Sequence, residues 1–99
     1  MEKLWFTYIL LCEKDKYYIG VTNDLTKRLN QHKGLIVGGA KYTKANKPID
    51  FVYIEPHINK SICQKREYIL KQKTKKQKSK LIEDCIFLNL KDKNEYWKL

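Results

Sequence analysis

Cysteine is scarce and poorly placed in this chain of 99 residues: Cys12, Cys63 and Cys85 form no C-x-x-C pair and are odd in number. That spacing argues against both a disulfide framework and a zinc site of Cys and His ligands. Three isolated thiols fit small core or surface residues in a reducing, intracellular compartment. Long apolar runs are lacking as well. The stretch "LWFTYILLC", Leu4–Cys12, is far too short to cross a bilayer. It follows Lys3 in the manner of a short signal peptide, but no small-residue cleavage site comes after it. Repeats and linkers are missing too, which leaves one domain with one modest core. The final lack is of carboxylates. Between Lys60 and Lys80 there are nine Lys or Arg residues and a single acid, Glu67, whereas the rest of the chain has 12 basic and 10 acidic residues. The net charge of +10 is thus concentrated in one segment. A nucleic-acid partner is the expectation, with a solubilising helix or an anionic membrane surface as the competing readings of charge alone.

What is present organises into short elements. An apolar content of 42% with 12% aromatics rules out a disordered tail. Leu4–Cys12, rich in aromatic and β-branched residues, predicts a buried strand. Glu13–Lys16 reads as a turn and Tyr17–Val21 as a second strand, making an antiparallel hairpin. Thr22 or Asn23 is expected to cap a helix over Asp24–His32, with Leu25 and Leu29 on one face and Arg28 and His32 paired on another. Gly34–Gly39 and the following "GGAKYT" predict a basic, polar loop. Pro48 opens a third strand, Ile49–Glu55, and Pro56–Lys60 reads as a loop. Asn59 or Ser61 would cap a helix running to about Lys73. Thr74 and Gln77 have capping-box spacing for another, ending near Asp84. The order β-β-α-β-α-α predicts an α/β (α+β) fold, a small three-stranded antiparallel sheet flanked by helices. Residues 1–84 form the expected domain, and 85–99 an extension docked on it.

Two strands bearing tyrosines come first, "FTYIL" with Tyr8 and "YYIGV" with Tyr17, Tyr18 and Gly20. The helix with Arg28 and His32 follows, then "GGAKYT", then Glu67 on a later helix. In this order and spacing the chain resembles the GIY-YIG nuclease superfamily over roughly Trp5 to Leu81. Its small stand-alone members and the nuclease module of the bacterial excision-repair protein UvrC are the nearest likeness. The first motif departs from the pattern, reading Phe6-Thr7-Tyr8 without the eponymous Gly and Ile. Many members carry an asparagine late in the module; Asn89 falls in that part of the chain, but in dissimilar surroundings, and is not counted in the site.

The resemblance implies metal-assisted hydrolysis of a phosphodiester, with Tyr8, Tyr18, Arg28, His32 and Glu67 as the catalytic set. Glu67 would supply a hard oxygen ligand to one Mg²⁺ (or Mn²⁺) ion, which takes its other ligands from water and phosphate. An acid alone among bases can recruit a cation without the segment losing its basic character. Arg28 has a planar fork that grips phosphate oxygens and stabilises developing charge. His32 would move a proton or orient a water or a tyrosine hydroxyl. Tyr8 would be the general base for water, although an ordinary tyrosine, with a pKa of about 10, needs help to lose its proton. Tyr18 would position water or phosphate, and Gly20 would let the backbone approach closely. On residue type alone each has a plainer reading: a surface arginine, a structural histidine, tyrosines that pack.

Lys41, Tyr42 and Lys44 combine charge with a stacking ring, the composition of a loop that contacts nucleic acid. Arg66, Lys71 and Lys75, with the other lysines of that run, could track a phosphate backbone. The expected partner is DNA, with RNA, a protein partner and a homodimer left open. A catalytically silent nucleic-acid-binding module and a nuclease subunit that needs a targeting partner are the alternatives.

Overall fold

The computed structural model describes residues 4–84, so Cys85, Asn89 and the expected 85–99 extension lie outside the described residues. Three strands, β1 (Trp5–Cys12), β2 (Lys16–Thr22) and β3 (Pro48–His57), form an antiparallel sheet in the order β2-β1-β3. The helices are α1 (Leu25–His32), α2 (Lys41–Ala45), α3 (Lys60–Lys71) and α4 (Lys75–Glu83). This is the expected α+β architecture with one helix added. No helix of the described residues is long and apolar enough to cross a membrane.

β1 lies in the middle because it is apolar on both faces. Phe6, Tyr8, Leu10 and Cys12 point to one side, where Leu25 and Leu29 of α1 close a core with Phe51 and Ile54. Ile9 points to the other side and packs with Ile19, Tyr53 and Leu70, covered further by Leu81 and Ile82 of α4. A strand sandwiched in this way needs a continuous run of β-formers, which is why its sequence shows no alternation. β3 pairs with β1 through two register shifts, between Ile9 and Leu10 and between Leu11 and Cys12. Such irregularities bend an edge strand and turn its side chains.

Several boundaries differ from expectation for physical reasons. Asp24, and not Thr22 or Asn23, caps α1, its carboxylate accepting from Lys27 N at 3.0 Å. Thr22 is occupied one step earlier, where its hydroxyl oxygen takes the Asp24 amide at 3.1 Å. β3 runs two residues past Glu55, through Pro56, because an edge strand tolerates a residue without an N–H. The segment expected as a loop contains α2, so Lys41, Tyr42 and Lys44 lie on a short helix. Asn59 caps α3 by accepting from Ile62 N at 2.9 Å. The Thr74–Gln77 capping box on α4 is fully formed.

Two ion pairs fix the rear helices to the sheet. Arg66 Nε lies 3.0 Å from the Glu55 carboxylate, which also holds His57 Nε2 at 2.6 Å and the Tyr53 hydroxyl. Burial alone would raise the Glu55 pKa, but the hydrogen bonds from Tyr53, Arg66 and His57 outweigh it and lower it. Lys75 Nζ reaches the turn between β1 and β2, 2.9 Å from Asp15 Oδ2. In that turn Lys14 and Asp15 both adopt positive φ, 63° and 58°.

Leu70 is the α3 side chain that seals the second core, whereas its neighbour Ile69 is 46% exposed. Leu70→Ala is expected to cost about 2–5 kcal/mol by transfer and cavity effects. Ile69→Ala should stay within about 0.5 kcal/mol. Urea denaturation of the two variants checks the contrast.

Candidate active site

Tyr8 stands on the central strand, fully buried, with its ring crossing Gly20 of the paired strand β2. An ideal Cβ at Gly20 would lie 2.6 Å from Tyr8 Cζ, so any larger residue there displaces the ring. The phenol is walled by Phe51, edge to face at 5.1 Å between centroids, and by Tyr18 at 6.4 Å. Its hydroxyl then meets two side chains of α1. His32 Nε2 is 2.8 Å away and Arg28 Nε, donating, is 3.3 Å away. The i, i+4 spacing expected to pair Arg28 with His32 therefore does so through a shared tyrosine oxygen.

Arg28 is held by neutral groups. It donates to Gln31 Oε1 and to the Gly38 carbonyl, both at 2.9 Å, and to the tyrosine hydroxyls of Tyr8 and Tyr18. Among the described residues it has no ion pair with a carboxylate. A guanidinium placed this way keeps its full charge available to an anion. His32 is 3% exposed and stacks edge-on against Tyr18 at 4.8 Å. Burial first, and the charge of Arg28 second, lower its pKa from 6.5 to about 4, so the ring is neutral at physiological pH. The other ring nitrogen, Nδ1, lies 2.9 Å from Thr43 Oγ1 on α2. Burial pushes the Tyr8 pKa well above the ordinary value, only partly offset by Arg28, so the phenol stays protonated at rest.

Glu67 comes from α3 beyond the sheet. Its side chain is 26% exposed and 3.7 Å from Lys71 Nζ one turn on. Among the influences on the Tyr8 pKa its negative charge is the smallest, and it acts to raise it. The Glu55–Arg66 pair orients α3, and Glu67 is the next residue. Among the described residues no group of three or more His, Cys, Asp or Glu could cage a metal. A single partly exposed carboxylate does fit an ion such as Mg²⁺, which needs one or two carboxylates and completes its shell with water and phosphate.

The remaining expected contacts divide. Arg66 and Lys75 are engaged with Glu55 and Asp15. Lys71 faces Glu67. Lys44 lines a cavity of about 320 Å³ with Lys33, Lys47 and His32, a basic recess beside the site. Lys41 and Tyr42 open α2, the helix that carries Thr43. Sequence reasoning passed over Thr43, Gln31 and Gly38. Thr43 stands within the "GGAKYT" stretch, but a hydrogen bond to a ring eleven residues back has no periodic signature.

Fold and site together define a catalytic domain of the GIY-YIG type, a nuclease superfamily. The chain belongs to the GIY-YIG catalytic domain family, whose profile matches residues 4–80. Its particular kin are small UPF0213 proteins. It is 43% identical over 77 residues to one from Clostridium perfringens, covering 78% of this chain and 81% of that protein. With one from Oceanobacillus iheyensis the identity is 40% over 83 residues, covering 84% and 94%. The solution NMR structure of the UPF0213 protein BH0048 from Bacillus halodurans superposes with a TM-score of 0.51 at 29% identity, covering 81% of this chain and 83% of that one.

Two outcomes follow from this geometry. Gly20→Ala should lower stability by about 1–3 kcal/mol through overpacking against Tyr8, measured by thermal denaturation. Between pH 6.5 and about 4 the unfolded chain binds a proton at His32 that the folded chain refuses. His32 therefore contributes stability at neutral pH that is lost as pH falls through that window, by at most about 1.4 kcal/mol per pH unit. Chemical denaturation at stepped pH should show this slope, reduced in His32→Gln.

Proposed function

We propose that this chain is an endonuclease that hydrolyses phosphodiester bonds in DNA, directed by backbone or structure, with one Mg²⁺ or Mn²⁺ ion bound through Glu67. The observation that carries the reading is the Arg28 guanidinium, kept on neutral oxygens directly above a buried tyrosine–histidine pair. An arriving phosphate offers Arg28 a charged acceptor, stronger than any it now has. As the guanidinium turns to the phosphate it uncovers the Tyr8 oxygen and removes one of the two causes that depress the His32 pKa. Tyr8 can then accept a proton from the attacking water while passing its own to His32 Nε2. Tyr18, half-buried beside Arg28, positions the water or the phosphate. Arg28 stabilises the charge that accumulates on the phosphoryl oxygens. An ion held by Glu67 would add Lewis-acid polarisation of the phosphate and a more acidic bound water.

The basic recess of Lys33, Lys44 and Lys47 supports a polyanionic substrate, contacted through its backbone or shape. Cys12 and Cys63, free and buried, fit a reducing, intracellular setting. A second reading, a binding module without turnover, rests on the zero exposure of Tyr8. In that reading Arg28 never leaves the tyrosine.

Labelled single-stranded, duplex, nicked and branched DNA and RNA, incubated with Mg²⁺, Mn²⁺ or EDTA, decide between them. Metal-dependent cleavage is expected, reduced by about 10²–10³ in Arg28→Ala, as for loss of a donor to developing charge, and abolished in Glu67→Ala with binding retained. Binding without cleavage on every substrate rejects the enzyme in favour of the module.

A further inference from the structure

We infer that Thr43 is a positioning residue that locks His32 in the tautomer with the proton on Nδ1, leaving Nε2 free to accept the Tyr8 proton. The inference about catalysis rests on the nuclease reading above; the tautomer itself does not. It follows from counting donors and acceptors along a buried chain of four groups.

At one end is the Ala40 carbonyl, which can only accept. Thr43 Oγ1 lies 3.0 Å from it and donates its hydroxyl proton there. Thr43 is 2% exposed, so its remaining capacity at that oxygen faces protein, and it is 2.9 Å from His32 Nδ1. With its own proton on Ala40, the hydroxyl can only accept from His32. Nδ1 must carry the imidazole proton.

The other end gives the same answer independently. Tyr8 is fully buried, and its hydroxyl has Arg28 Nε at 3.3 Å and His32 Nε2 at 2.8 Å. Arg28 can only donate. The phenolic proton therefore points at His32 Nε2, which must be unprotonated to receive it. The alternative tautomer would aim two donors at the Tyr8 oxygen and leave the phenolic proton without an acceptor on either of those partners. Both ends of the chain choose one tautomer.

This accounts for the five-residue helix α2 where the sequence suggested a loop. It brings the Thr43 hydroxyl against a ring on the far side from Tyr8 and anchors it to the carbonyl that opens the helix. When His32 takes up the Tyr8 proton, the resulting imidazolium has both N–H groups in place, one to Thr43 and one to Tyr8. Removing the hydroxyl leaves Nδ1–H with no acceptor there, so the Tyr8 end alone opposes the tautomer with the proton on Nε2, the one favoured by histidine in water.

Long-range ¹H–¹⁵N correlation spectra of the full-length chain, without a histidine tag, read the tautomer at neutral pH. His57 is the only other histidine, and a His57→Gln spectrum assigns the two rings. The wild type should show a protonated Nδ1 and an unprotonated Nε2 at His32. Thr43→Val, nearly isosteric, should bring in a population with the proton on Nε2, and Thr43→Ser should restore the wild-type pattern. In cleavage assays Thr43→Val should lose about 10- to 100-fold in kcat with little change in KM, again recovered by Ser. A wild-type His32 protonated on Nε2 overturns the inference, as does a folded Thr43→Val whose tautomer populations match the wild type. If Thr43→Val does not fold, the wild-type and Thr43→Ser spectra still decide the tautomer. The expected tautomers without cleavage of any substrate would retain the Thr43–His32 lock and reject the nuclease.

Discussion

One buried phenolic hydroxyl organises this domain. Tyr8 sits on the central strand with no access to water, and an O–H left unpaired there would cost about 1–3 kcal/mol. The fold meets that demand with groups from separate elements. β2 contributes the missing side chain of Gly20, which opens the space the ring crosses. α1 contributes an acceptor and a donor one turn apart, His32 and Arg28. α2 contributes the hydroxyl behind the histidine. The loop before α2 contributes the Gly38 carbonyl that steadies the arginine. Satisfying one oxygen thus couples four stretches of chain.

The sheet separates two tasks. On the α1 side the core runs into the tyrosine, histidine and arginine cluster, so packing there also sets proton positions. On the α3 and α4 side, Leu70, Leu81 and Ile82 pack against Ile9, Ile19 and Tyr53. Around them Glu55–Arg66 and Lys75–Asp15 act as fasteners. Exposed pairs such as Lys75–Asp15 add little energy, but they fix orientation. That orientation also sets where α3 carries Glu67, one turn from Lys71.

Much of this was legible in the sequence where the signal was local or periodic. The unbroken apolar run of β1, the capping box at Thr74 and Gln77, and the i, i+4 pair on α1 all depend on near neighbours. The assignment of Tyr8, Tyr18, Arg28, His32 and Glu67 to one site came from the resemblance to the GIY-YIG family. Tyr8, Tyr18, Arg28 and His32 are joined by direct contacts, whereas Glu67 stands on α3, paired with Lys71. What was not legible depends on partners distant in sequence. Arg66 read as a phosphate ligand because Glu55, eleven residues earlier, gives no hint that it will face it. Lys75 read the same way, with Asp15 sixty residues off. Thr43 looked like the end of a polar loop because a five-residue helix is too short to impose a pattern. Pro56 looked like a strand breaker, which holds only for strands flanked on both sides.

Those prolines carry a consequence for the molecule in a crowded solution. Among the described residues β3 pairs with β1 alone, and a bare strand edge invites pairing with the same edge on another copy. Pro48 at its start and Pro56 near its end each remove an amide from that ladder. The register shifts opposite Leu10 and Cys12 bend what lies between them. With a net charge of +10 also repelling like copies, the outer edge of β3 offers no straight, fully donating row from which an intermolecular sheet could grow. The interrupted strand therefore guards against aggregation, and does so at the side of the sheet away from β2 and Gly20.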